Sequence, residues 1–177
     1  LDFNPNSYYT GPVPQYEFGF FTGGMFMEPC RDYLNRFYFC TNRMDGLYYL
    51  AARKMGVNEN TFSLLYTLGD GIPRSQKRLS EELLIPKTTV NTVVKECIQA
   101  GYVQFLPGTR GKEKKVTLTD QGRAYAGQIL RPIYAAEEEA MAHTLEQFSP
   151  DFILAVEAMA EHLRRAFQDN ILNRKEP

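Results

Sequence analysis

Apolar side chains recur at helical spacing along most of the chain, and strand-like alternation is confined to two short stretches. Residues 29–55 keep the helical spacing throughout and predict one long helix, although Gly46 lowers its propensity. A second long helix is predicted from Thr119, a suitable N-cap, and Pro132 should kink it. Ser149-Pro150 then starts a terminal helix with a broad apolar stripe. The pattern predicts a mainly α-helical protein.

Between the long helices, residues 75–100 predict two short helices joined by a tight turn. The hydroxyl of Ser75 can cap the first helix, and Leu79 and Leu83 form its apolar stripe. Pro86 cannot continue this helix, because its ring clashes with the preceding turn, so a second helix begins beside it. The predicted core face of the second helix consists of Val90, Val93, Val94, Cys97 and Ile98.

The opposite face of the second short helix carries short hydrogen-bonding side chains and cations. These residues are Lys87, Thr88, Thr89, Asn91, Thr92 and Lys95. Such a face fits the major groove of DNA, where Asn and Lys reach base edges and Thr contacts a phosphate or a thymine methyl. A solvated polar surface is the simpler alternative.

Two strands are predicted after this helix, at residues 102–105 and 115–118, with a loop over 106–114. We call the strands and the loop the wing. The loop combines Pro107, Gly108 and Gly111 with the cations Arg110, Lys112 and Lys114. Basic side chains on a flexible loop suit contact with the phosphate backbone, which sets the register of a protein on DNA. An ordinary charged hairpin is the alternative.

Three motifs in this region resemble one family. They are Leu-Ser-Glu-Glu-Leu-Leu-Ile-Pro-Lys-Thr-Thr-Val-Asn at 79–91, Gln-Ala-Gly-Tyr-Val at 99–103 and Val-Thr-Leu-Thr-Asp-Gln-Gly-Arg at 116–123. Together they resemble the winged helix-turn-helix of MarR-type transcriptional regulators, and the likeness extends over roughly 29–170. The resemblance implies a winged helix-turn-helix core with a two-stranded β wing and long N- and C-terminal dimerisation helices.

The resemblance also suggests how the chain is divided. It implies a single winged-helix domain at 29–170, with a DNA-binding part at 57–118 and dimerisation helices at 29–56 and 119–170. We expect residues 1–28 to be an N-terminal extension and residues 171–177 a tail. The extension is rich in aromatic residues, glycine and proline and nearly uncharged. It either docks, on its own domain or on a partner subunit, or is not native to the domain.

For function, the resemblance implies a homodimeric, sequence-specific regulator that binds a pseudo-palindromic operator in double-stranded DNA. A repressor relieved by a small-molecule effector is the expected type. The residues expected to bind DNA are Arg74, Lys77, Lys87, Thr88, Thr89, Asn91, Thr92, Lys95, Arg110, Lys112 and Lys114. An effector pocket is expected at Tyr33, Phe37, Tyr48 and Phe62, although aromatic stripes are more often core. A winged-helix module that binds a protein instead of DNA is the alternative.

The wing departs from the family pattern at one position. MarR-type wings commonly carry Asp-x-Arg, and counting back from Leu118 places Arg110 at the acidic position. The carboxylate that normally braces the wing arginine is therefore missing, although Arg110 or Lys112 can still enter a minor groove.

The charge distribution agrees with a nucleic-acid partner better than the net charge of −1 does. Residues 74–115 contain nine Lys or Arg and four Glu, a balance of +5, whereas the remainder of the chain carries −6. A basic centre in an acidic frame is typical of proteins that bind nucleic acid.

The cysteines, the histidines and the absence of several sequence motifs argue against other classes of protein. Three scattered cysteines (Cys30, Cys40 and Cys97) suit a reducing cytoplasm, with Cys30 or Cys40 left open as a redox sensor. Two histidines without partners at ligand spacing predict no metal site, and we expect no other cofactor. The sequence contains no catalytic triad, phosphate loop or paired carboxylates typical of an enzyme. It also has no apolar run of membrane-spanning length, and we expect no signal peptide.

Overall fold

The computed structural model describes residues 27–107 and 114–174. Two compact units make up the chain, Leu1–Asp45 and Gly46–Pro177. The described part of the first unit is helical, and several of its aromatic side chains are exposed, among them Tyr33, Tyr38 and Phe39. The second unit contains the core of the protein and all of the described strands. The domain boundaries expected from the sequence stay predictions.

Six α-helices account for most of the described residues, as the hydrophobic pattern predicts. They are α1 (Met27–Lys54), α2 (Glu59–Leu68), α3 (Gln76–Leu83), α4 (Lys87–Gln99), α5 (Asp120–Leu145) and α6 (Asp151–Phe167), followed by a π-helical turn at Gln168–Leu172.

The helix starts are fixed by short polar side chains, as the sequence predicts for Ser75 and Thr119. The Asn58 side chain accepts from the backbone N–H of Asn60 at 3.0 Å, where α2 begins. The hydroxyl of Ser75 accepts from the backbone N–H of Arg78 at 3.2 Å and caps α3. Thr119 caps α5 by accepting from Gly122 at 2.9 Å. Each bond satisfies a first-turn N–H that has no partner within its helix.

The sheet has three strands, β1 (Arg74–Ser75), β2 (Val103–Phe105) and β3 (Lys115–Leu118), in the antiparallel order β1-β3-β2. Arg74 pairs with Val116 on one side of β3, and Phe105 pairs with Val116 on the other. Both predicted wing strands are present, and β1 adds a third strand on the other side of β3. Two residues are too few for an alternation pattern, so β1 is not visible in the sequence.

The core lies among α2, α3, α4, α5 and the sheet. Its most buried side chains include Leu64, Leu65, Leu68, Leu79, Val94, Val116 and Leu130. Burying such side chains contributes roughly 1.5–3 kcal/mol each, so this cluster is the main stabilising feature of the second unit.

Two glycines allow the end of α4 and the start of α5 to meet. Gly101 has φ +78°, and the N–H groups of Gly101 and Tyr102 donate to the carbonyls of Ile98 and Cys97, which closes α4. Gly122, in the Leu-Thr-x-x-Gly motif, lies against the backbone of Tyr102, and a Cβ at this position would be 1.8 Å from the Tyr102 carbonyl oxygen. The motif therefore has a packing role.

A hydrogen-bonded cluster joins α1, α2 and α5. The hydroxyls of Tyr48 and Tyr66 both donate to Glu137 Oε1, at 2.7 Å and 2.9 Å. Burial, together with these bonds to Glu137, raises the pKa of both tyrosines. Tyr134 lies edge-on to Tyr66, with ring centroids 5.7 Å apart. Glu137 is thus a structural acceptor, although its acidic run looks like a solvated face in the sequence.

Helix α6 has a long apolar face that the described residues of the second unit leave exposed. The structure describes every residue of α6, and none of them is buried. Ile153, Val156, Leu163 and Phe167 are each 40–47% exposed. A continuous apolar face of this size is typical of an interaction surface.

Candidate nucleic-acid interface

Helix α4 is oriented by its apolar face. Val90, Val93, Val94 and Cys97 are each at most 5% exposed and pack into the core. Burial also raises the pKa of the Cys97 thiol, which is consistent with a small core side chain. The predicted core face is therefore confirmed, and the polar face of α4 must point away from the core.

The predicted base-contacting residues all lie on this outward face. Lys87, Thr88, Thr92 and Lys95 are exposed, and Thr89 and Asn91 are partly exposed. The Thr92 hydroxyl donates to the Thr88 carbonyl at 3.1 Å, so its oxygen is available chiefly as an acceptor. The face thus presents two ammonium groups, one amide and three threonines to the surroundings.

The turn before α4 has an unusual residue in a left-handed conformation. Leu84 follows α3 with φ 53° and ψ 33°, and its side chain is 89% exposed. Leucine rarely adopts this conformation, because its Cβ crowds the following carbonyl. The Ser80 hydroxyl donates to the Ile85 carbonyl at 2.7 Å and braces the turn. This bond fixes the approach of the chain to the start of α4.

The other predicted cations differ in their surroundings. The Lys77 side chain is 76% exposed, and its ammonium lies 3.6 Å from Glu81 Oε1. Lys114 is exposed near the root of the wing, with its ammonium 5.4 Å from the centre of the Phe105 ring. Arg110 and Lys112 lie outside the described residues, as does most of the wing loop. Lys77 and Lys114 can therefore reach a phosphate without a change in the fold.

Arg74 does not fit the phosphate contact predicted for it. Only 8% of the residue is exposed, and its guanidinium is surrounded by internal acceptors. Nη1 and Nη2 donate to the two Asp70 carboxylate oxygens at 2.8 Å and 2.7 Å, and Nε donates to Glu82 Oε2 at 2.5 Å. Nη1 also lies 2.8 Å and 3.0 Å from the carbonyls of Thr67 and Ile72. We call Arg74, Asp70 and Glu82 the Arg74 cluster.

Ionisation within the Arg74 cluster is strongly stabilised. Hydrogen bonds from Arg74 lower the pKa of Asp70 to about 2. Arg78, which donates to Glu82 Oε1 at 2.5 Å, and Arg74 together lower the pKa of Glu82. The bond to Asp70 in turn raises the pKa of Arg74. All of these groups are therefore charged at neutral pH.

The predicted effector residues are divided between the two units. Tyr33 and Phe37 belong to the first unit, and Tyr48 and Phe62 belong to the second. Phe62 is only 4% exposed and is part of the core, whereas Tyr48 binds Glu137. The second unit does contain an open pocket of about 490 Å³, lined by Tyr66, Thr67, Gly69, Asp70, Arg74, Glu82 and Tyr134.

Sequence reasoning missed the acidic partners of the Arg74 cluster. Asp70 and Arg74 have the i, i+4 spacing of an ion pair, but Gly71-Ile72-Pro73 between them indicates a turn, where that rule does not apply. Glu82 lies four positions after Arg78 on α3, and this spacing does indicate an ion pair between those two residues. The junction with Arg74 depends on tertiary structure.

The described residues contain neither a metal-ligand cluster nor a membrane-spanning helix. Within residues 27–107 and 114–174, no three His, Cys, Asp or Glu side chains are arranged to hold a metal ion. None of the helices in the same ranges combines the length and apolar character needed to span a bilayer.

The sequence of the central region matches a known family. Residues 55–111 match the model of the MarR family, which confirms the resemblance found in the motifs. The match begins at the end of α1, includes the predicted DNA-reading helix α4 and ends within the wing. No curated protein is significantly similar to the chain in sequence.

Solved structures establish the fold. A MarR family regulator from Neisseria meningitidis aligns with 81% of this chain and 99% of its own, at 24% identity and a TM-score of 0.67. A MarR family transcriptional regulator from Silicibacter pomeroyi covers 73% of this chain and 93% of its own, at 18% identity and a TM-score of 0.61. Overoxidized AbfR bound to DNA covers 79% and 98%, at 16% identity and a TM-score of 0.55. The mainly helical winged-helix fold of MarR family regulators is therefore confirmed.

Proposed function

We propose that the protein is a homodimeric, sequence-specific DNA-binding transcriptional regulator. The observation that carries this proposal is the division of α4 into a buried valine face and an exposed polar face. Val90, Val93 and Val94 hold the helix in the core, while Lys87, Thr88, Thr92 and Lys95 face outward. These side chains suit a major groove, where Asn and Lys reach base edges and Thr contacts a phosphate or a thymine methyl.

Reading of sequence is assigned to the outward face of α4. Asn91 is suited to bidentate bonding with adenine, Lys87 and Lys95 to the acceptors of guanine, and the threonines to thymine methyl groups or phosphates. Each good bidentate contact discriminates against a wrong base by about 1–3 kcal/mol. Asn91 is therefore the residue from which the largest loss of specificity is expected.

Positioning on the duplex is assigned to the other exposed cations. Lys77 and Lys114 contact phosphates, and Arg110 and Lys112 of the wing loop contact phosphates or enter the minor groove. These contacts carry no sequence information but make binding strongly dependent on salt. The likeness to a solved structure of AbfR bound to DNA supports this assignment, because a fold of this kind accommodates a duplex.

Dimerisation is supported by the exposed apolar face of α6. Pairing of two such faces around a two-fold axis would remove them from water. It would also place two copies of α4 in successive major grooves, roughly 34 Å apart, over a pseudo-palindromic operator.

Ligand response is proposed from similarity to the family. We propose a repressor, located in the cytoplasm with its DNA, that a small molecule releases. Tyr33, Phe37, Tyr48 and Phe62 stay the predicted effector residues. The pocket beside Tyr66 and Tyr134 is a second place where a small molecule can fit.

The test is selection of bound duplexes from a random pool with the full chain. We expect enrichment of a pseudo-palindrome whose half-sites are about 10–10.5 bp apart. The selected duplex is then titrated with the wild type, Asn91→Ala and a control variant, Gln99→Ala, which changes an exposed amide at the far end of the same helix. Asn91→Ala should weaken specific binding by roughly 5–150-fold and relax one position of the motif. Gln99→Ala should bind as the wild type does.

Two outcomes would overturn the proposal. The first is a pool that yields no preferred sequence, with binding indifferent to the duplex offered. The second is no DNA binding even at low salt, where phosphate contacts are strongest. The second outcome, together with unchanged behaviour of Asn91→Ala, would favour a protein-binding module.

A further inference from the structure

The Arg74 cluster lies where the elements that carry the two DNA-contacting parts meet. Arg74 is the first residue of β1 and reaches back to Thr67, in the last turn of α2, and to Asp70, two residues after that helix. The same guanidinium reaches forward to Glu82 near the end of α3. One side chain therefore joins α2, the sheet and α3.

These contacts connect the wing to the DNA-reading helix. β1 pairs with β3, and β3 pairs with β2, so the position of β1 determines that of the wing strands. Ser75, the other residue of β1, caps α3, and α3 packs against α4. A shift at Arg74 would therefore change the separation between the wing and α4.

We propose that the Arg74 cluster is a positioning device that holds the wing and α4 at the spacing needed for simultaneous phosphate and base contacts. The inference rests on the proposed DNA-binding function and adds a positioning role for Asp70, Arg74 and Glu82. Arg74 acts through the elements that it joins and does not touch the duplex. Only 8% of the residue is exposed, and its guanidinium bonds to five acceptors within the protein, so an internal role accounts for its contacts.

A positioning role and a purely electrostatic role predict opposite changes in DNA affinity when Asp70 or Glu82 is neutralised. Asp70 and Glu82 add negative charge to a protein that binds a polyanion, so charge alone predicts tighter DNA binding when either is neutralised. A positioning role predicts the reverse, because the released guanidinium no longer fixes β1 against α2 and α3. The sign of the change in affinity therefore separates the two accounts.

The experiment compares three variants that each remove one negative charge. Asp70→Asn and Glu82→Gln disturb the cluster, whereas Glu81→Gln neutralises a carboxylate that is 63% exposed on the same helix as Glu82 and touches only Lys77 among the ion pairs. Each is titrated by fluorescence anisotropy with the selected duplex and with a scrambled duplex, at a temperature where circular dichroism finds it folded. Two cluster variants are used so that one is available if the other does not fold.

We expect Asp70→Asn and Glu82→Gln to bind the selected duplex about tenfold more weakly, a loss equivalent to one base contact. Binding of the scrambled duplex should change by less than about twofold, because the exposed cations are intact. Glu81→Gln should bind both duplexes as tightly as the wild type or more tightly. Arg74→Lys keeps the charge but loses the bidentate geometry, so it should resemble Asp70→Asn.

Equal or tighter binding of the selected duplex by folded Asp70→Asn and Glu82→Gln would overturn the positioning role. Wild-type affinity in Arg74→Lys would also overturn it. That result would mean that only the positive charge of Arg74 matters, as at a simple phosphate contact, and that its bidentate geometry does not. A parallel loss on both duplexes would point to a general defect and would also count against it. Failure of the proposed function is distinct, because the wild type itself would then have no preferred duplex.

Discussion

At the scale of single residues, Gly122 determines whether α5 can begin where it does. Its backbone lies so close to Tyr102 that a Cβ would be 1.8 Å from the carbonyl oxygen and 2.7 Å from the carbonyl carbon. Backbone atoms cannot move aside as a flexible side chain can. We expect Gly122→Ala to lower the free energy of unfolding by about 3 kcal/mol, as overpacking a tight contact does. Urea denaturation followed by circular dichroism measures this change.

Gly127 on the same helix provides the matched control. Apart from the backbone of its own helix and its chain neighbours, no atom lies within 4 Å of the position that its Cβ would occupy. Gly127→Ala should therefore stabilise the protein by about 0.5–1 kcal/mol, because alanine is the better helix former. Similar stability in the two variants would contradict the close approach at Tyr102.

Asp70 should make the stability of the protein depend on pH in the acid range. Its pKa is about 2 in the folded protein against the usual 3.8, because Arg74 donates two hydrogen bonds to the carboxylate. The unfolded chain therefore takes up the proton first, and the contribution is complete above about pH 5 and lost as the pH falls from 4 to 2. Since the carboxylate is 42% exposed, we expect it to contribute about 1 kcal/mol.

The corresponding measurement is the difference in unfolding free energy between the wild type and Asp70→Asn at pH 7 and at pH 2.5. The difference should be positive at pH 7 and shrink at pH 2.5, because the wild-type carboxylate is then partly protonated. A gap between the two proteins that stays constant with pH would show that the charge of Asp70 does not act through Arg74.

Single residues could be predicted from the sequence where their partners are near in the chain. Ser75 and Thr119 cap helices through an N–H three residues away, and capping follows local rules. The role of Glu137 could not be predicted, because its partners Tyr48 and Tyr66 are 89 and 71 positions away. The burial of Arg74 could not be predicted for a different reason. Its acceptors all lie within eight positions of it, but a turn and a two-residue strand bring them together, and no periodic pattern marks those elements.

At the scale of elements, the Tyr48–Glu137–Tyr66 cluster joins three helices through one carboxylate. Both hydroxyls donate to the same oxygen, and hydrogen bonds to a charged acceptor contribute roughly 1.5–3 kcal/mol each when well formed. The site is partly exposed, so water can replace some of this contribution. We expect Glu137→Ala to lower the free energy of unfolding by about 1–2 kcal/mol, measured by urea denaturation.

Glu138 is the control, because it is exposed and adjacent in the same acidic run. Glu138→Ala gives the same gain in helix propensity and the same change in charge, and should alter stability by less than about 0.5 kcal/mol. If Glu137→Ala and Glu138→Ala were equally mild, the carboxylate would contribute nothing to the joining of α1, α2 and α5.

Whole helices could be predicted because their apolar periodicity extends over many residues, as in α1 and α4. The strand β1 could not, because it is two residues long and forms only by pairing with β3, about 40 positions later. The same contrast between local pattern and tertiary pairing applies to the candidate DNA interface. The outward face of α4 could be predicted from its spacing, whereas the support supplied by the Arg74 cluster is visible only in three dimensions.

At the scale of the whole molecule, α6 is a helix whose apolar side chains the described residues leave exposed. Its exposed apolar side chains at Ile153, Val156, Leu163 and Phe167 lie on one face, since their spacing follows the helical period. The opposite face carries Leu154, which is 62% exposed, and Ala158. A dimer built on α6 should use the first face and leave the second in contact with water.

Assembly through the apolar face of α6 should also determine the affinity for DNA. Val156→Glu combined with Leu163→Glu places two charges on the apolar face, where burial without a partner is strongly unfavourable. We expect this double variant to sediment as a monomer. It should also bind the full pseudo-palindrome no more tightly than a single half-site, because two linked binding modules gain affinity through effective concentration.

Leu154→Glu combined with Ala158→Glu adds the same charge on the opposite face and should behave as the wild type. If both double variants remained dimeric, α6 would not form the subunit contact. If only the Val156/Leu163 variant became monomeric and still bound the full site at wild-type affinity, dimerisation would not be needed to recognise the operator.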